Sequence, residues 1–332
     1  LASALELWHD AGMLIAVLAL IFGCALLAYG ADRFVHGVTA IAARSGVPTL
    51  IISVLLVGFA TSLPEIIVAA MASFHHRPEM AIGSAIGSNI ANMGLVLGIT
   101  ALIQPITVQS SIIKREFPML FAIMILVGAL MLDQTLRFVD GIILCVSFVA
   151  LVAWLFFSVS RSSAKQDIMV EEFAQEIEHP VSWLAAIVWV VLGLILLLGA
   201  SRMMVFGAVY IAKAFGLSDL VIGLTIVAVG TSLPELAASV AGVLKGEPDI
   251  AIGNVIGSNM FNLLAVMAVP GLLHPTHFDR AVITQDFPLM FIMTIILFLL
   301  IFVTRKRRAL NRLHGGLLLA VYVGYIAFLY LK

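Results

Sequence analysis

Ten apolar runs, each about as long as a membrane-crossing helix, divide this chain. A helix needs roughly 17–25 mostly apolar residues to cross the hydrocarbon core of a bilayer. Hydrophobic residues occupy 62% of the 332 positions and charged residues 11%, whereas soluble domains are about 45–50% apolar and about 25% charged. We therefore predict an integral membrane protein with spans near 12–31, 49–74, 80–103, 117–132, 138–158, 181–205, 217–244, 249–272, 287–304 and 313–331.

The pattern within the runs distinguishes helices from a barrel. A backbone in lipid must satisfy its own hydrogen bonds, which leaves helices or a closed β-barrel. Barrel strands alternate apolar and polar residues, but these runs are continuously apolar. We expect an all-α fold of ten transmembrane helices. No basic segment or small-residue cleavage site accompanies the first run, so we interpret it as a retained span rather than a signal peptide.

Positive residues in the loops predict the orientation of the chain. With the N-terminus outside, 12 Lys and Arg residues fall inside and 6 outside, and the inside group includes the basic cluster at 305–308. Cytoplasmic loops are enriched in Lys and Arg, so we expect both termini outside a plasma membrane, which in a bacterium is the inner membrane. The net charge of −1 indicates no nucleic-acid partner. Cys24 and Cys145 lie in apolar runs, as free thiols often do.

The sequence repeats itself at an offset of 170 residues. Positions 61–92 and 231–262 share 14 of 32 residues, including a TSLPE motif and an IGSN motif in each copy. The polar residues inside the apolar runs agree best between the two copies. A duplication without function would have let those positions drift apart.

The repeat predicts how the chain is organised. We expect a first five-helix half at 1–158, a polar cytoplasmic linker at 159–180 and a second five-helix half at 181–332. Because each half crosses the membrane an odd number of times, the halves insert in opposite orientations. Inverted repeats with broken helices at the midplane are typical of secondary transporters that work by alternating access.

Each TSLPE motif combines a helix breaker with a charge at membrane depth. Glu65 and Glu235 are the acidic residues that lie deep inside the predicted spans, and an intramembrane carboxylate usually has a function. Pro64 and Pro234 lack an N–H group, which frees carbonyl oxygens in the preceding turn. In inverted halves the two glutamates approach each other, and a divalent cation between them neutralises both.

Further oxygen donors recur at helical spacing. Thr61 stands four residues before Glu65, and on the next span Ser88 stands four residues before Asn92, so each pair shares a helix face. An oxygen-only donor set suits Ca²⁺, whereas Mg²⁺ tends to keep its waters. The lack of nearby Cys or His argues against Zn²⁺ and Cu⁺.

The motifs GSNIAN and GSNMFN, each downstream of TSLPE, resemble the α-repeats of the cation/Ca²⁺ exchanger superfamily, in particular its prokaryotic Na⁺/Ca²⁺ exchanger-like branch. The resemblance covers nearly the whole chain. It implies an antiporter that exchanges Ca²⁺ for Na⁺, with no cofactor and with membrane lipid as its surroundings. A single chain is expected to suffice for transport, and the oligomeric state stays open.

The resemblance also implies a set of cation ligands. Ca²⁺ would lie between Glu65 and Glu235, with the backbone carbonyls of Thr61 and Thr231. One flanking Na⁺ site would use Ser62, Ser88 and the Gly58 carbonyl, the other would use Ser232, Ser258 and the Ala228 carbonyl, and Asn92 and Asn262 would line the middle.

Two positions depart from the family pattern. Ala60 replaces a usual glycine before the first TSLPE, which alters the local unwinding. Asn262 stands where some relatives, including K⁺-dependent exchangers, carry Asp, so the pocket has two negative charges and K⁺ independence is expected. The hydroxyl groups of TSLPE favour Na⁺ over H⁺ as the exchanged ion.

Other functions stay open on the sequence. In a Ca²⁺/H⁺ antiporter the same two glutamates would release Ca²⁺ when they bind protons. A cation channel would use them as a selectivity ring, although inverted repeats favour alternating access. The sequence contains no HExxH motif and no catalytic aspartate pair, which argues against an intramembrane enzyme.

Overall fold

The computed structural model describes residues 2–45, 47, 49–108, 112–162, 182–215, 228–303 and 309–331. These residues form an almost entirely helical bundle. Helices α1 to α15 span Ala2–Ser45, Thr49–Ile52, Gly58–Thr61, Leu63–Phe74, Pro78–Ala91, Leu97–Ile103, Phe117–Met131, Phe138–Ser162, Trp183–Ala214, Ala228–Thr231, Leu233–Leu244, Pro248–Phe261, Met267–Leu273, Phe287–Val303 and Arg312–Leu331. Five π-helical turns cover Ser53–Val57, Asn92–Val96, Ile112–Glu116, Asn262–Val266 and Val282–Asp286.

Eight stretches of the described chain are helical, long and apolar enough to cross a membrane. They are Gly12–Ser45, Thr49–Phe74, Pro78–Ile103, Phe138–Leu155, Trp183–Ala214, Pro248–Leu273, Val282–Phe302 and Arg312–Leu329, and α11 is a shorter apolar helix. The expected all-α membrane fold is therefore confirmed. The count of ten spans stays a prediction, because most of the linker (163–180) and the start of the seventh run (217–227) lie outside the described residues.

Helix α1 continues well beyond the predicted end of the first span at residue 31. The predicted end at residue 31 is wrong, because Asp32 and Arg33, which interrupt the apolar run, both find partners and stay in the helix. The Arg33 guanidinium lies 5.1 Å from the ring centroid of Tyr29 and 5.0 Å from that of Trp189. Asp32 pairs with Lys245, in the turn after α11, at 2.6 Å. These contacts let the charges lie on a helix that runs on to Ser45.

Helices α1 and α9 pack antiparallel along a seam of small residues. A Cβ atom added to Gly37 would lie 2.8 Å from the carbonyl oxygen of Ala186, and one added to Gly207 would lie 2.5 Å from that of Ala16. Gly37 and Gly207 are separated by 170 residues, and so are Ala16 and Ala186. We call two residues related by this offset counterparts. The contact of Gly37 with Ala186 is thus repeated by their counterparts, Gly207 and Ala16, at the other end of the seam.

The glycines of α12 bring the two halves into backbone contact. A Cβ atom on Gly257 would lie 2.6 Å from the carbonyl oxygen of Val54, and one on Gly253 would lie 2.7 Å from Cβ of Ser53. Both neighbours belong to the π-helical turn Ser53–Val57. The second half therefore holds the span that carries the first TSLPE motif at a separation that only glycine allows.

The counterparts of these glycines are not closely packed in the described part of the chain. Among the described residues, an added Cβ atom at Gly83 or Gly87 would meet nothing within 4 Å. Gly83 is exposed, whereas Gly253 is buried. The counterparts of Ser53 and Val54, the neighbours of Gly253 and Gly257, are residues 223 and 224, which lie outside the described part of the chain.

Two short antiparallel ribbons join segments of the two halves. Strand β1 (Ile106–Thr107) pairs with β4 (Ala309–Leu310), and β2 (Thr135–Leu136) pairs with β3 (Thr276–His277). Each ribbon has two residues per strand and lies between helices. The ribbons fix the loops of one half against the other.

Replacing Gly257 by alanine tests the close contact between α12 and the first half. We expect Gly257→Ala to lower the free energy of unfolding by about 1–3 kcal/mol, because the added methyl group must displace a backbone carbonyl. Gly316→Ala serves as the control, because among the described residues its added Cβ atom would come no nearer than 3.9 Å to Leu102 Cδ2. Thermal unfolding in detergent measures both. A Gly257→Ala protein as stable as the Gly316→Ala protein would contradict this packing.

Candidate functional site

Each TSLPE motif interrupts its helix for a single residue. Ser62 separates α3 from α4 with φ −81° and ψ −1°, and Ser232 separates α10 from α11 with φ −90° and ψ 3°. Pro64 and Pro234 lie in the first turn of the following helix, where a missing N–H group costs little. The glutamate follows the proline directly, so each break projects a carboxylate from the start of a new helix.

The structure brings the two glutamates of these motifs together in the core. Glu65 and Glu235 are each 1% exposed, and their carboxylates are close enough to repel one another. The Thr61 hydroxyl lies beside the Glu235 carboxylate. None of the four carboxylate oxygens has a hydrogen bond of normal geometry with the described part of the chain. Two buried carboxylates without donors are unstable unless protons or a cation bind between them.

Four further side-chain oxygens of the predicted ligand set are buried and have no hydrogen-bond partner among the described residues. They are Ser62 Oγ, Ser232 Oγ, Asn92 Oδ1 and Asn262 Oδ1. The Asn92 amide is held in place, because its Nδ2 donates to Asn259 Oδ1 at 3.1 Å. Its Oδ1 is then left as an acceptor. Buried acceptors without donors need an explanation, and a bound cation provides one for all of them.

The first TSLPE motif meets the second half through its threonine. Thr61 Oγ1 lies 3.2 Å from Ser258 Oγ, and Ser258 Oγ donates to the Gly58 carbonyl at 3.2 Å. The Gly58 carbonyl, which the resemblance assigns to a group with Ser88, lies against Ser258. The reason is that the broken span of the first half packs on α12 of the second. The Gly58 carbonyl also accepts from the Ser62 N–H at 3.2 Å, so it is less free than the proline predicts.

Two further predicted ligands lie on α5 and at the end of α10. Ser88 is buried on α5. Thr231 is half-buried at the end of α10, which begins at Ala228. The twelve residues that precede α10, 216–227, lie outside the described part, so the surroundings of the Ala228 carbonyl are not described.

The carbonyl that Pro234 frees has an unexpected partner. Ser201 on α9 donates to the Gly230 carbonyl at 2.5 Å. The absence of a side chain at Gly230 permits this approach, because an added Cβ atom would collide with Val205 of the same helix. The counterparts of Ser201 and Gly230 are Ala31 and Ala60, and an alanine side chain has no hydroxyl to donate. The first half, which has Ala60 in place of the usual glycine, therefore lacks a counterpart of the hydrogen bond between Ser201 and Gly230.

Sequence reasoning missed the π-helical turns that follow the GSN motifs. One begins at Asn92 and its counterpart begins at Asn262. A π-helical turn widens the helix locally and is frequent at functional sites. No residue pattern in the sequence distinguishes these turns from the surrounding α-helix, but both begin on a predicted ligand.

Most of the predicted ligands are buried oxygen donors of the kind that hard cations prefer. The set comprises two carboxylates, four hydroxyls, two amide oxygens and backbone carbonyls. Among the described residues, no group of three or more His, Cys, Asp or Glu side chains could hold a metal ion. The neutral oxygens must therefore complete the shell, which is usual for Ca²⁺ and uncommon for Zn²⁺.

Substituting one glutamate tests the repulsion within the pair. We expect Glu235→Gln to raise the melting temperature of the cation-free protein, because one of two unpaired charges is removed. The variant should also lose the stabilisation by Ca²⁺, which for the wild type reaches about 2.7 kcal/mol at a concentration 100 times the dissociation constant. Thermal unfolding in detergent with and without Ca²⁺ measures both effects. A variant that Ca²⁺ stabilises as much as the wild type would contradict this site.

Comparison with known proteins places the chain among exchangers. Residues 15–157 and 185–331 match the family model described as sodium/calcium exchanger protein. The chain is 43% identical to CaxA of Alkalimonas amylolytica, a candidate antiporter by its name, over 94% of this chain and 98% of that protein. It is 39% identical to the inner membrane protein YrbG of Escherichia coli K12, over 96% of this chain and 98% of YrbG.

A solved structure has the same fold. The sodium-calcium exchanger NCX_Mj, in crystals soaked with Na⁺ and Sr²⁺, superposes with a TM-score of 0.80 at 34% sequence identity. The match covers 95% of this chain and 98% of that one. The similarity therefore extends over both halves of the repeat.

Proposed function

The chain belongs to the sodium/calcium exchanger protein family, and on that premise we propose that it is a secondary active antiporter that exchanges Ca²⁺ for Na⁺ across the membrane. The observation that carries this proposal is the buried pair Glu65 and Glu235, whose carboxylates repel each other and have no regular hydrogen-bond donor in the described part of the chain. One Ca²⁺ ion between them balances both charges. The surrounding oxygens are neutral and suit either cation.

The pocket gives each ion its ligands. Ca²⁺ lies between Glu65 and Glu235, with the Thr61 and Thr231 carbonyls on either side. Na⁺ uses the same carboxylates and the flanking hydroxyls of Ser62, Ser88, Ser232 and Ser258, with the Gly58 and Ala228 carbonyls, while Asn92 and Asn262 line the middle. The contact of Ser258 with Gly58 supports a pocket that combines the two halves. Because the two ions share ligands, they compete.

Alternating access follows from an inverted repeat of five plus five helices, with halves at 1–158 and 181–332 and a cytoplasmic linker between them. Helices α1 and α9 open the pocket to one side and then to the other. Their seam supports this motion, since it repeats the same small-residue contacts from both ends. The orientation that we propose has both termini outside the plasma membrane, and the similarity to an inner membrane protein supports that membrane.

Electrostatics enforces exchange rather than leak. An empty pocket holds two bare carboxylates, and moving them past the apolar seam of α1 and α9 costs several kcal/mol. A pocket that contains Ca²⁺ or Na⁺ is charge-compensated and moves more easily. After Ca²⁺ leaves on one side of the membrane, the pocket therefore turns back to the other side only when another cation has bound.

A flux experiment in proteoliposomes tests the proposed exchange. We expect Ca²⁺ uptake to follow an outward Na⁺ gradient, to saturate with Ca²⁺ and to vanish in Glu65→Gln, because the neutral side chain cannot balance the ion. Uptake of radioactive Ca²⁺ with Na⁺, choline or a pH gradient inside the vesicles measures this. Uptake driven by the pH gradient and indifferent to Na⁺ would replace the proposal with Ca²⁺/H⁺ antiport. A current proportional to voltage without a counter-ion would indicate a channel.

A second prediction concerns K⁺. With asparagine at both 92 and 262, the two glutamates are the charges to be balanced, and Ca²⁺ alone balances them. We expect Na⁺-driven Ca²⁺ uptake to be the same in K⁺ and in choline buffers. Ca²⁺ uptake that requires K⁺ would contradict this charge balance.

A further inference from the structure

Asn254 is a buried amide that connects the two TSLPE motifs and that the ligand set leaves unused. It lies on α12, one turn before Ser258, and is fully buried. Its Oδ1 accepts from the Thr61 hydroxyl at 3.0 Å. Its Nδ2 donates to the Glu235 carbonyl and to Ser239 Oγ, both at 3.0 Å. One side chain thus contacts the threonine of one motif and the glutamate backbone of the other.

The partners of Asn254 determine which way its amide points. The backbone carbonyl of Glu235 can only accept a hydrogen bond, so the NH₂ group must face it. The oxygen of the same amide is then left to face Thr61. This orientation presents an acceptor to the Thr61 hydroxyl from the opposite half of the protein.

The Thr61 hydroxyl has one hydrogen and several acceptors, and the Glu235 carboxylate beside it is one of them. The Val57 carbonyl lies 3.0 Å from Thr61 Oγ1, as far as Asn254 Oδ1 does. When the hydrogen points to Asn254, the lone pairs of Thr61 turn toward Ser258, which lies 3.2 Å away. Asn254 therefore affects how the oxygens of Thr61, Ser258 and Gly58 present themselves to a cation.

The counterpart residues build the other half differently. The counterpart of Asn254 is Ser84, and that of Ser239 is Ala69. A serine hydroxyl has one hydrogen and a shorter reach, so it cannot make the three contacts that the amide makes. Ser84 is half-buried, whereas Asn254 is fully buried. The hydrogen bonds of the Asn254 side chain thus lie on the side of the pocket that contains Gly58, Thr61 and Ser258.

We propose that Asn254 is a positioning residue that orients the Thr61 hydroxyl and thereby sets the affinity of the Gly58–Thr61–Ser258 side of the pocket for the monovalent ion. The inference rests on the proposed Na⁺/Ca²⁺ exchange and gives the two flanking sites unequal strength. Ca²⁺ binding depends mainly on the two carboxylates, and Asn254 makes no hydrogen bond to either of them. Loss of the amide should therefore lower the affinity for Na⁺ rather than the affinity for Ca²⁺.

The test replaces Asn254 by its counterpart residue in the full chain. In proteoliposomes, Asn254→Ser should raise the Na⁺ concentration for half-maximal Ca²⁺ uptake by about 3- to 10-fold, the value of one hydrogen bond. The Ca²⁺ concentration for half-maximal uptake and the maximal rate should stay unchanged. Two controls should leave all three values unchanged: Ser84→Ala at the counterpart position, and Thr294→Val, which removes a buried hydroxyl of α14 that bonds to Met290 and Met93.

A double-substitution cycle separates positioning from general packing. If Asn254 acts through the Thr61 hydroxyl, Asn254→Ser should add no further Na⁺ effect in a Thr61→Val background. If Asn254→Ser fails to fold, Ser239→Ala replaces it, and a smaller shift in the same direction is expected because one amide hydrogen loses its partner.

The outcomes overturn the inference in separable ways. An unchanged Na⁺ dependence, an equal loss of affinity for both ions, a loss of maximal rate alone or an effect that persists in Thr61→Val refutes the positioning role while exchange stands. A wild-type protein whose Ca²⁺ uptake ignores Na⁺ refutes the proposed function, and the inference with it.

Discussion

The repulsion between two buried carboxylates is the constraint on which the rest of the structure depends. Glu65 and Glu235 lie in a core that offers them no hydrogen bond of normal geometry within the described residues. A protein that only needed to fold would replace such a pair with apolar residues at little cost or with a gain in stability. The arrangement becomes useful when the missing partner is an ion that comes and goes. In the exchange that we propose, the helix breaks, the hydroxyls and the glycines serve to present oxygens to that ion.

Much of the fold was predictable because lipid imposes simple rules on a sequence. Run length and continuous hydrophobicity give the helices, and the bounds 49–74 agree with the span Thr49–Phe74. The extent of α1 was not predictable in this way. Asp32 and Arg33 interrupt its apolar run, and they stay in the helix because Lys245, Tyr29 and Trp189 provide partners from its side and from other elements. Such partners depend on tertiary contacts, which the lengths of apolar runs do not reveal.

The repeat indicates the central residues of the candidate site, since two copies of TSLPE at one offset point to the same positions twice. It did not predict which copy contacts which neighbour. The Gly58 carbonyl lies against Ser258 rather than in a group with Ser88 because the halves interlock. Asn254 and Ser201 were missed for a related reason. They occur in one half only, so a comparison of the two copies passes over them.

The ion pair between Asp32 and Lys245 has a consequence for the resting state of the protein. Its counterpart positions hold Arg202 and His75, two basic residues that cannot form the same pair. On the alternating access that we propose, an orientation that keeps this pair is favoured over a mirrored orientation that has no equivalent pair. A partly exposed pair contributes up to about 1 kcal/mol, which corresponds to roughly a fivefold difference in population. The unmatched pair thus biases the proposed empty carrier toward one side of the membrane.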